Sequence, residues 1–356
     1  PRLRIDRALG AARTGDRGTA LRLLAEAAAR RPSPNERRHM SLLHLELKDY
    51  GPAKDLLDRL IKESPADATL RVDRAALAAA AGDRAGALLR LAEARKLSPA
   101  LDTRHRIALL YHDLDDDEHG RDLLSELLKS FPQNARLRLD RAAHAARGGD
   151  RAAALQYLAE ARRLNPSLEE RRLMVSLHQG LGDHERALDL LSGLIAAAPK
   201  DPGLRIDRAA LALRTGDLDG ARRTLGTALT LNPEPGDRQR MALLHQDMKD
   251  YASALSLLEP LAREQPENAA LLGDLGLCEY LAGRTEDAIS HLRAAIKLDA
   301  ASLPAIVTLG SIFAAQKRFD EERAVYAAAP PAGGEPELRA ALVRSRKEAL
   351  ARAAHE

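Results

Sequence analysis

The chain has 356 residues, 45% hydrophobic and 30% charged, with no Trp and only 3% aromatics. Ala and Leu dominate and β-branched residues are few, a composition that favours helices and points to an all-α fold. Its 55 basic and 52 acidic side chains leave a net charge of +3, a near balance that shows no nucleic-acid footprint of clustered Lys/Arg; one cysteine, Cys278, excludes an intrachain disulfide, and no stretch of 18 apolar residues is present to span a bilayer.

The chain opens on Pro1, already at the first position of a repeat and without Met, which points to an excised segment lacking its N-terminus. With no signal peptide to read, and with a lone cysteine tolerated in either compartment, localisation stays open between cytoplasm and periplasm. Leu3 to Thr14 reads as one helix, Gly15-Asp16 as a turn, and Gly18 to Arg30 as a second helix stopped before Pro32. The hexapeptide Leu3-Arg4-Ile5-Asp6-Arg7-Ala8 returns as Leu70 to Ala75, Leu137 to Ala142 and Leu204 to Ala209, 67 residues apart each time. A second series, Met40, Ile107, Met174 and Met241, keeps that spacing and divides each unit into related halves. A period of about 34 residues marks an array of helix-turn-helix repeats.

The same grammar continues along the chain. Turns recur at Gly82-Asp83, Gly149-Asp150, Gly182-Asp183, Gly216-Asp217 and Gly283-Arg284, where Gly can take the left-handed conformation that ends a helix. A small residue follows at Ala20, Ala53, Ala87, Gly120, Ala154, Ala187, Ala221, Ala254 and Ala288, letting two helices approach closely. Four residues on, Leu24, Leu57, Leu91, Leu124, Leu158, Leu191, Leu225, Leu258 and Leu292 form an unbroken column on the same helix face, the expected core ridge. Second helices end near Pro32, Pro65, Pro99, Pro132, Pro166, Pro199, Pro233 and Pro266, because Pro cannot continue a helix but fits where the next begins.

In period, turn, small-residue, Leu and Pro positions the chain resembles a tetratricopeptide repeat (TPR) array. The match is best over Ala269–Ala300, where Leu275-Gly276, Gly283-Arg284, Ala288 and Ala295 to Asp299 follow the family pattern. The resemblance implies a right-handed α-solenoid of antiparallel helix pairs, a TPR superhelix. Ten repeats are expected, at about 1–33, 34–67, 68–100, 101–134, 135–167, 168–201, 202–234, 235–268, 269–302 and 303–334. Odd and even repeats differ: the eleventh position holds His44, Tyr111, His178 and His245 in even repeats but Ala11, Ala78, Ala145 and Ala212 in odd ones. Beyond Ala329, Pro330 to Gly334 reads as a linker and residues 335–356 as a capping helix, with Leu338, Leu342 and Leu350 along one side. The N-terminal end has no such cover, since Leu3 and Ile5 come at once, and is expected to meet upstream repeats or a partner.

The family's aromatic at the fourth position is replaced by a column of arginines, Arg4, Arg37, Arg71, Arg104, Arg138, Arg171, Arg205 and Arg238. One reading is a ladder for a polyanion; the other seats each stem in the aromatic's place and directs the guanidinium to carbonyls at a helix C-terminus. The resemblance also implies a concave track made by the first helices, on which acid and base alternate: Asp6, Arg38/His39, Asp73, His105/Arg106, Asp140, Arg172, Asp207, Arg240 and Asp274. Ion pairs between repeats are one account of that alternation. Partner binding is the other, using Arg13, Arg38, His39, His105, Arg106, Arg147, Arg172, Arg214 and Arg240 with Ile5, Val72, Leu139 and Ile206 as apolar footholds. The family's Lys/Asn clamp for a C-terminal carboxylate is not reproduced, as Ile5, Leu9, Val72 and Ala76 occupy two pairs of its places.

His44, His178 and His245 lie a double repeat or more apart, too distant to share a metal, and are expected to be partly buried hydrogen-bonding residues. The run His112 to His119 lacks the Gly and terminal Glu of a calcium loop and reads as a solvated turn. No nucleophile elbow, phosphate loop or zinc spacing is present. The expectation is therefore a bacterial, non-catalytic scaffold without cofactor or metal that holds a protein or peptide segment, no nucleic acid. The alternative is the periplasmic TPR portion of an outer-membrane exopolysaccharide export protein, for which the partner is a polysaccharide.

Overall fold

A computed structural model describes residues 1–329 and six further helical positions, Ala340, Val343, Arg344, Lys347, Glu348 and Ala351. The linker expected at 330–334, and Leu338, Leu342 and Leu350 of the capping helix expected at 335–356, lie outside the described residues. Among the described residues there are twenty α-helices and no strand, in two compact units, Pro1–Gly182 and Asp183–Glu356. The first unit holds α1 (Arg2–Arg13), α2 (Arg17–Ala28), α3 (Pro34–Glu46), α4 (Tyr50–Glu63), α5 (Ala68–Ala80), α6 (Arg84–Lys96), α7 (Leu101–Asp113), α8 (Asp117–Ser130), α9 (Ala135–Arg147), α10 (Arg151–Arg162) and α11 (Leu168–Gly180). The second holds α12 (His184–Ala197), α13 (Pro202–Arg214), α14 (Leu218–Leu229), α15 (Pro235–Asp247), α16 (Tyr251–Glu264), α17 (Ala269–Leu281), α18 (Thr285–Leu298), α19 (Leu303–Ala315) and α20 (Phe319–Ala328).

Many of the helices are started by a capping side chain. Asp16, Asp83, Asp150 and Asp217 cap second helices by accepting from the backbone N–H of Thr19, Gly86, Ala153 and Gly220, and Ser33 and Ser167 form reciprocal capping boxes with Glu36 and Glu170. Three-residue turns between the helices of a repeat force the second to fold back antiparallel on the first. In odd repeats the turn relies on Gly: Gly82 has φ +81°, and the next amide, Asp83 N–H, reaches back to Ala78 O at 2.9 Å. Among even repeats the sixth keeps Gly182 at φ +69°, but at the other four Lys48, Asp115, Lys249 and Lys317 take the same left-handed conformation without Gly, with φ between 54° and 59°. Arg31, Ser98, Asn165 and Asn232, each 67 residues from the next, do so after odd second helices, and reverse the chain before the following Pro.

All nine leucines of the expected ridge are buried, none more than 2% exposed, each contributing about 1.5–3 kcal/mol of burial. The small column is buried with it, and at Gly120 an added Cβ would stand 3.2 Å from the Ala108 carbonyl of the paired helix. Within each unit successive first helices touch one another, as α1–α3, α3–α5, α5–α7, α7–α9 and α9–α11 do in the first and α13–α15, α15–α17 and α17–α19 in the second. Second helices instead meet the first helix of the next repeat, as α4 meets α5 and α16 meets α17. The first helices therefore share one face of each unit, and that face carries the candidate site.

Substituting Leu158, fully buried on α10, by Ala is expected to cost about 2–5 kcal/mol in chemical denaturation, with the loss spreading to neighbouring repeats because they are stabilised through their interfaces. Gly82→Ala should cost about 1–2 kcal/mol, since its φ of +81° is unfavourable for a Cβ.

Candidate functional site

On the first-helix face, helical phase brings aspartates of odd repeats beside basic or polar residues of a neighbouring even repeat, and at Asp73 beside both neighbours. Asp73 on α5 has a fully buried carboxylate that accepts from Arg38 Nε on α3 at 2.6 Å and from Arg106 Nη2 on α7 at 2.7 Å. The next step keeps the register with a different base: His105 Nε2 meets Asp140 Oδ2 at 2.5 Å, and Arg136, one turn before Asp140, adds a contact at 3.3 Å. In the second unit Arg240 pairs with Asp207 and, at 3.2 Å, with Asp237, while Gln239 donates to Asp274 at 2.6 Å. Gln239 carries no charge, so burial of Asp274 dominates and pushes its carboxyl above the ordinary range.

The arginine column lies within repeats. Arg4 meets Glu26 at 2.9 Å, Arg104 meets Glu126 at 3.4 Å and Arg138 meets Glu160 at 3.3 Å. Arg37 and Arg238 make two-pronged pairs with Glu63 and Glu264. Those hydrogen bonds hold Glu26, Glu63 and Glu264 below the usual carboxylate range. Arg71 and Arg138 also donate to the carbonyls of Pro65 and Pro132, and Arg171 to Pro166 O at 3.0 Å. The acceptors are thus loop carbonyls and the carboxylates of each repeat's own second helix, rather than the C-terminal carbonyls of a neighbouring one. Arg205 departs from the pattern. Thr227 stands in the register of Glu26, Glu93 and Glu160, and Arg205 donates instead to Asp201 O at 3.3 Å. Beside it Arg208, Arg223, Ser192, Thr224 and Thr227 line a pocket of about 400 Å³.

A further column, Arg17, Arg84 and Arg151, donates through Nε to the carbonyls of Leu47, Leu114 and Leu181 at 2.7–3.0 Å, capping the following even first helix. The 67-residue spacing of these arginines was the available signal. His44 and His245 bond through Nδ1 to Asp49 and Asp250, at 2.8 and 3.0 Å, across the turn within their repeat. The run from His112 to His119 is not wholly solvated, since His112 and Leu114 are buried. Burial pushes the Cys278 thiol up to about 11, leaving it an unreactive core side chain.

Of the nine sequence candidates, the structure pairs Arg38, His105, Arg106 and Arg240 with aspartates, and Arg172 is also engaged. Arg13, His39 and Arg214 are exposed and make no side-chain hydrogen bond or ion pair among the described residues; Arg147 is exposed and acts electrostatically on Asp117. His39 borders a groove of about 380 Å³ between α1 and α3, lined by Ile5, Leu9, Leu42, Leu43 and Leu45 with Asp6 and Glu46. Arg13 follows Leu9 by one helical turn on α1.

Paired helices sharing one face, with acid and base clamped along it, define a helical-repeat protein built to present a surface. The chain belongs to the tetratricopeptide repeat family: one model described as tetratricopeptide repeat matches residues 118–169 and 240–302, and a second matches 179–246. A tetratricopeptide repeat protein from Parabacteroides merdae superposes with a TM-score of 0.51 at 18% identity, over 69% of this chain and 98% of that one. Yeast Tom70 gives a TM-score of 0.40 at 12% identity, over 98% and 95%. The BBSome complex member BBS4 homolog of Drosophila melanogaster is 23% identical over 154 residues, 43% of this chain; the chain spans 32% of that relative's length. Domains of this family bind proteins or peptides and are generally non-catalytic, which supports a protein-interaction scaffold. Among the described residues no helix is long and apolar enough to cross a membrane.

Removing the central carboxylate by Asp73→Ala leaves Arg38 and Arg106 facing each other and should cost about 1.5–3 kcal/mol, the range for hydrogen bonds to charged groups, in urea unfolding. Asp274→Asn should stabilise the protein at neutral pH. Because the folded-state pKa of Asp274 is raised, ionisation costs stability above that value. The variant's advantage should therefore be full there and vanish below the unfolded value of about 3.9.

Proposed function

We propose that this chain is a non-catalytic scaffold that captures a peptide segment on the first-helix face of its repeats. The observation that carries the reading is the α1–α3 groove, where a leucine-lined trough of about 380 Å³ lies beside His39 and Arg13, two basic groups without side-chain partners among the described residues. The trough is of the size that accepts one or two apolar side chains, and Arg13 suits a flanking acidic group. The paired residues Arg38, His105, Arg106 and Arg240 are assigned the work of holding first helices in register, and Arg13, His39, Arg147 and Arg214 the direct contacts.

A second reading, an anionic contact, is favoured at one place. In the second unit Arg205, Arg208 and Arg223 converge with Ser192, Thr224 and Thr227 on a pocket whose counterpart glutamate is replaced by Thr227. A carboxylate or phosphate on a partner suits that set of donors.

Panning a random peptide display library on the full chain tests the main reading. The expected binders carry an apolar residue flanked by Asp or Glu, weaken with salt because exposed charges are screened over about 8 Å, and lose about tenfold in affinity to the double variant Arg13→Ala/His39→Ala. Binders indifferent to that folded double variant but lost in Arg223→Ala move the site to the arginine pocket; indifference to both removes it from these surfaces.

A further inference from the structure

The repeats serve as internal controls for one another, and at one place three positions depart from the pattern together. His144 on α9 stands in the register of Leu77 and Leu211, which are buried core residues at 2% and 0% exposure. His112, at the end of α7, stands where repeats two, six and eight have Leu45, Gln179 and Gln246, and Asp117, the first residue of α8, where they have Tyr50, His184 and Tyr251. Although they come from three helices and two repeats, the three side chains converge.

His112 Nδ1 lies 3.0 Å from Asp117 Oδ1, and His144 Nδ1 lies 3.6 Å from the same oxygen. The two imidazole centroids are 5.2 Å apart, and one ligand atom from each residue falls within 4.8 Å of the others. Both histidines are 8% exposed, whereas the Asp117 side chain is 57% exposed and opens the cluster to solvent. The His112–Asp117 bond alone is a shifted copy of the His44–Asp49 bond across the same turn. His144 has no such account: its buried Nδ1 finds no hydrogen-bond partner. A polar nitrogen left unpaired in a buried place that takes leucine in repeats three and seven is a net cost unless something binds it.

We propose that His112, Asp117 and His144 form a binding site for a divalent transition-metal ion of the Zn2+ type, which ties repeats four and five together. Two imidazoles and one carboxylate are the donor set that such ions favour. In a tetrahedral site with metal–ligand lengths of about 2.0–2.2 Å, neighbouring donors stand about 3.4 Å apart, and the 3.0 and 3.6 Å separations bracket that figure. Arg121 and Arg141 lie close enough to act on His144 and oppose a dication; the exposed Asp113 and Asp115 of the adjoining turn add negative charge.

The test uses the full chain freed of metal with a chelator and titrated with Zn2+ by calorimetry, with Co2+ in parallel as a spectroscopic probe of tetrahedral coordination. The expected result is one saturable equivalent, a rise in the unfolding temperature with Zn2+ through preferential binding to the folded state, and a tetrahedral Co2+ spectrum. His144→Leu gives the residue that repeats three and seven carry there, so it should fold, as circular dichroism will show, yet bind at least tenfold more weakly and lose the thermal shift. Asp117→Asn should weaken binding too, while His119→Ala, an exposed histidine of the same run, should leave it intact. Unchanged Zn2+ affinity in folded His144→Leu, or loss of the equivalent in His119→Ala alone, overturns the proposal, as does a wild-type chain with no saturable equivalent.

Discussion

Everything in each unit depends on a helix pair of about 33 residues being too small to bury its own apolar ridge. The Leu column, buried from Leu24 to Leu292, leaves water fully only with the next repeat in place, as Leu24 packs with Ile5 and Ala8 of its own repeat and with Met40 and Leu43 of the following one, and the small residues four positions earlier set how closely the paired first helix comes. Burial is roughly proportional to the apolar area removed from water, so each repeat is stabilised by its neighbours more than by itself. That constraint aligns the first helices on one face. It also explains why so few aromatics are needed, since Ala and Leu fill a narrow, regular interface without large rings.

Charge is used on this scaffold at two depths. The arginine column ties the helices of a single repeat together through Glu26, Glu63, Glu126, Glu160 and Glu264, with carbonyls of the preceding loop as additional acceptors. The clamp around Asp73 works between repeats, reaching forward and back to Arg38 and Arg106. A buried carboxylate held by two cations makes a slip of one repeat against another costly, because a slip leaves an unpaired charge in a poorly solvated place. The near equality of acidic and basic residues is thereby accounted for as internal pairing, and the interesting positions become those where the pairing fails: Arg13, His39, the Thr227 exception beside Arg205, and Asp274 facing Gln239.

Much of this was legible in the chain before any coordinates. The 67-residue recurrence, the Leu and small-residue columns and the Gly turns follow from local rules that repeat in sequence, so the helix pairs and their buried ridge could be read directly. Even turns other than that at Gly182 could not be read so easily, because Lys48 and Lys249 adopt the left-handed conformation without the glycine that usually signals it. The groove columns were found by helical phase, yet phase alone could not say whether Arg38 and Arg106 face open space or share Asp73.

What the sequence determined by itself is whatever depends on spacing along one helix or within one repeat: helix type, turn placement, the register of the core and the identity of the family. Tertiary structure decided the rest, since whether a charged side chain is paired depends on groups 22 to 35 residues away whose approach is set by packing between helices. Arg106 and Arg13 look alike in the chain, but one bonds a buried aspartate and the other is exposed. Similarly, His112, Asp117 and His144 share no spacing that marks a metal site; only the stacking of α7, α8 and α9 brings their nitrogens and oxygen within reach of one another.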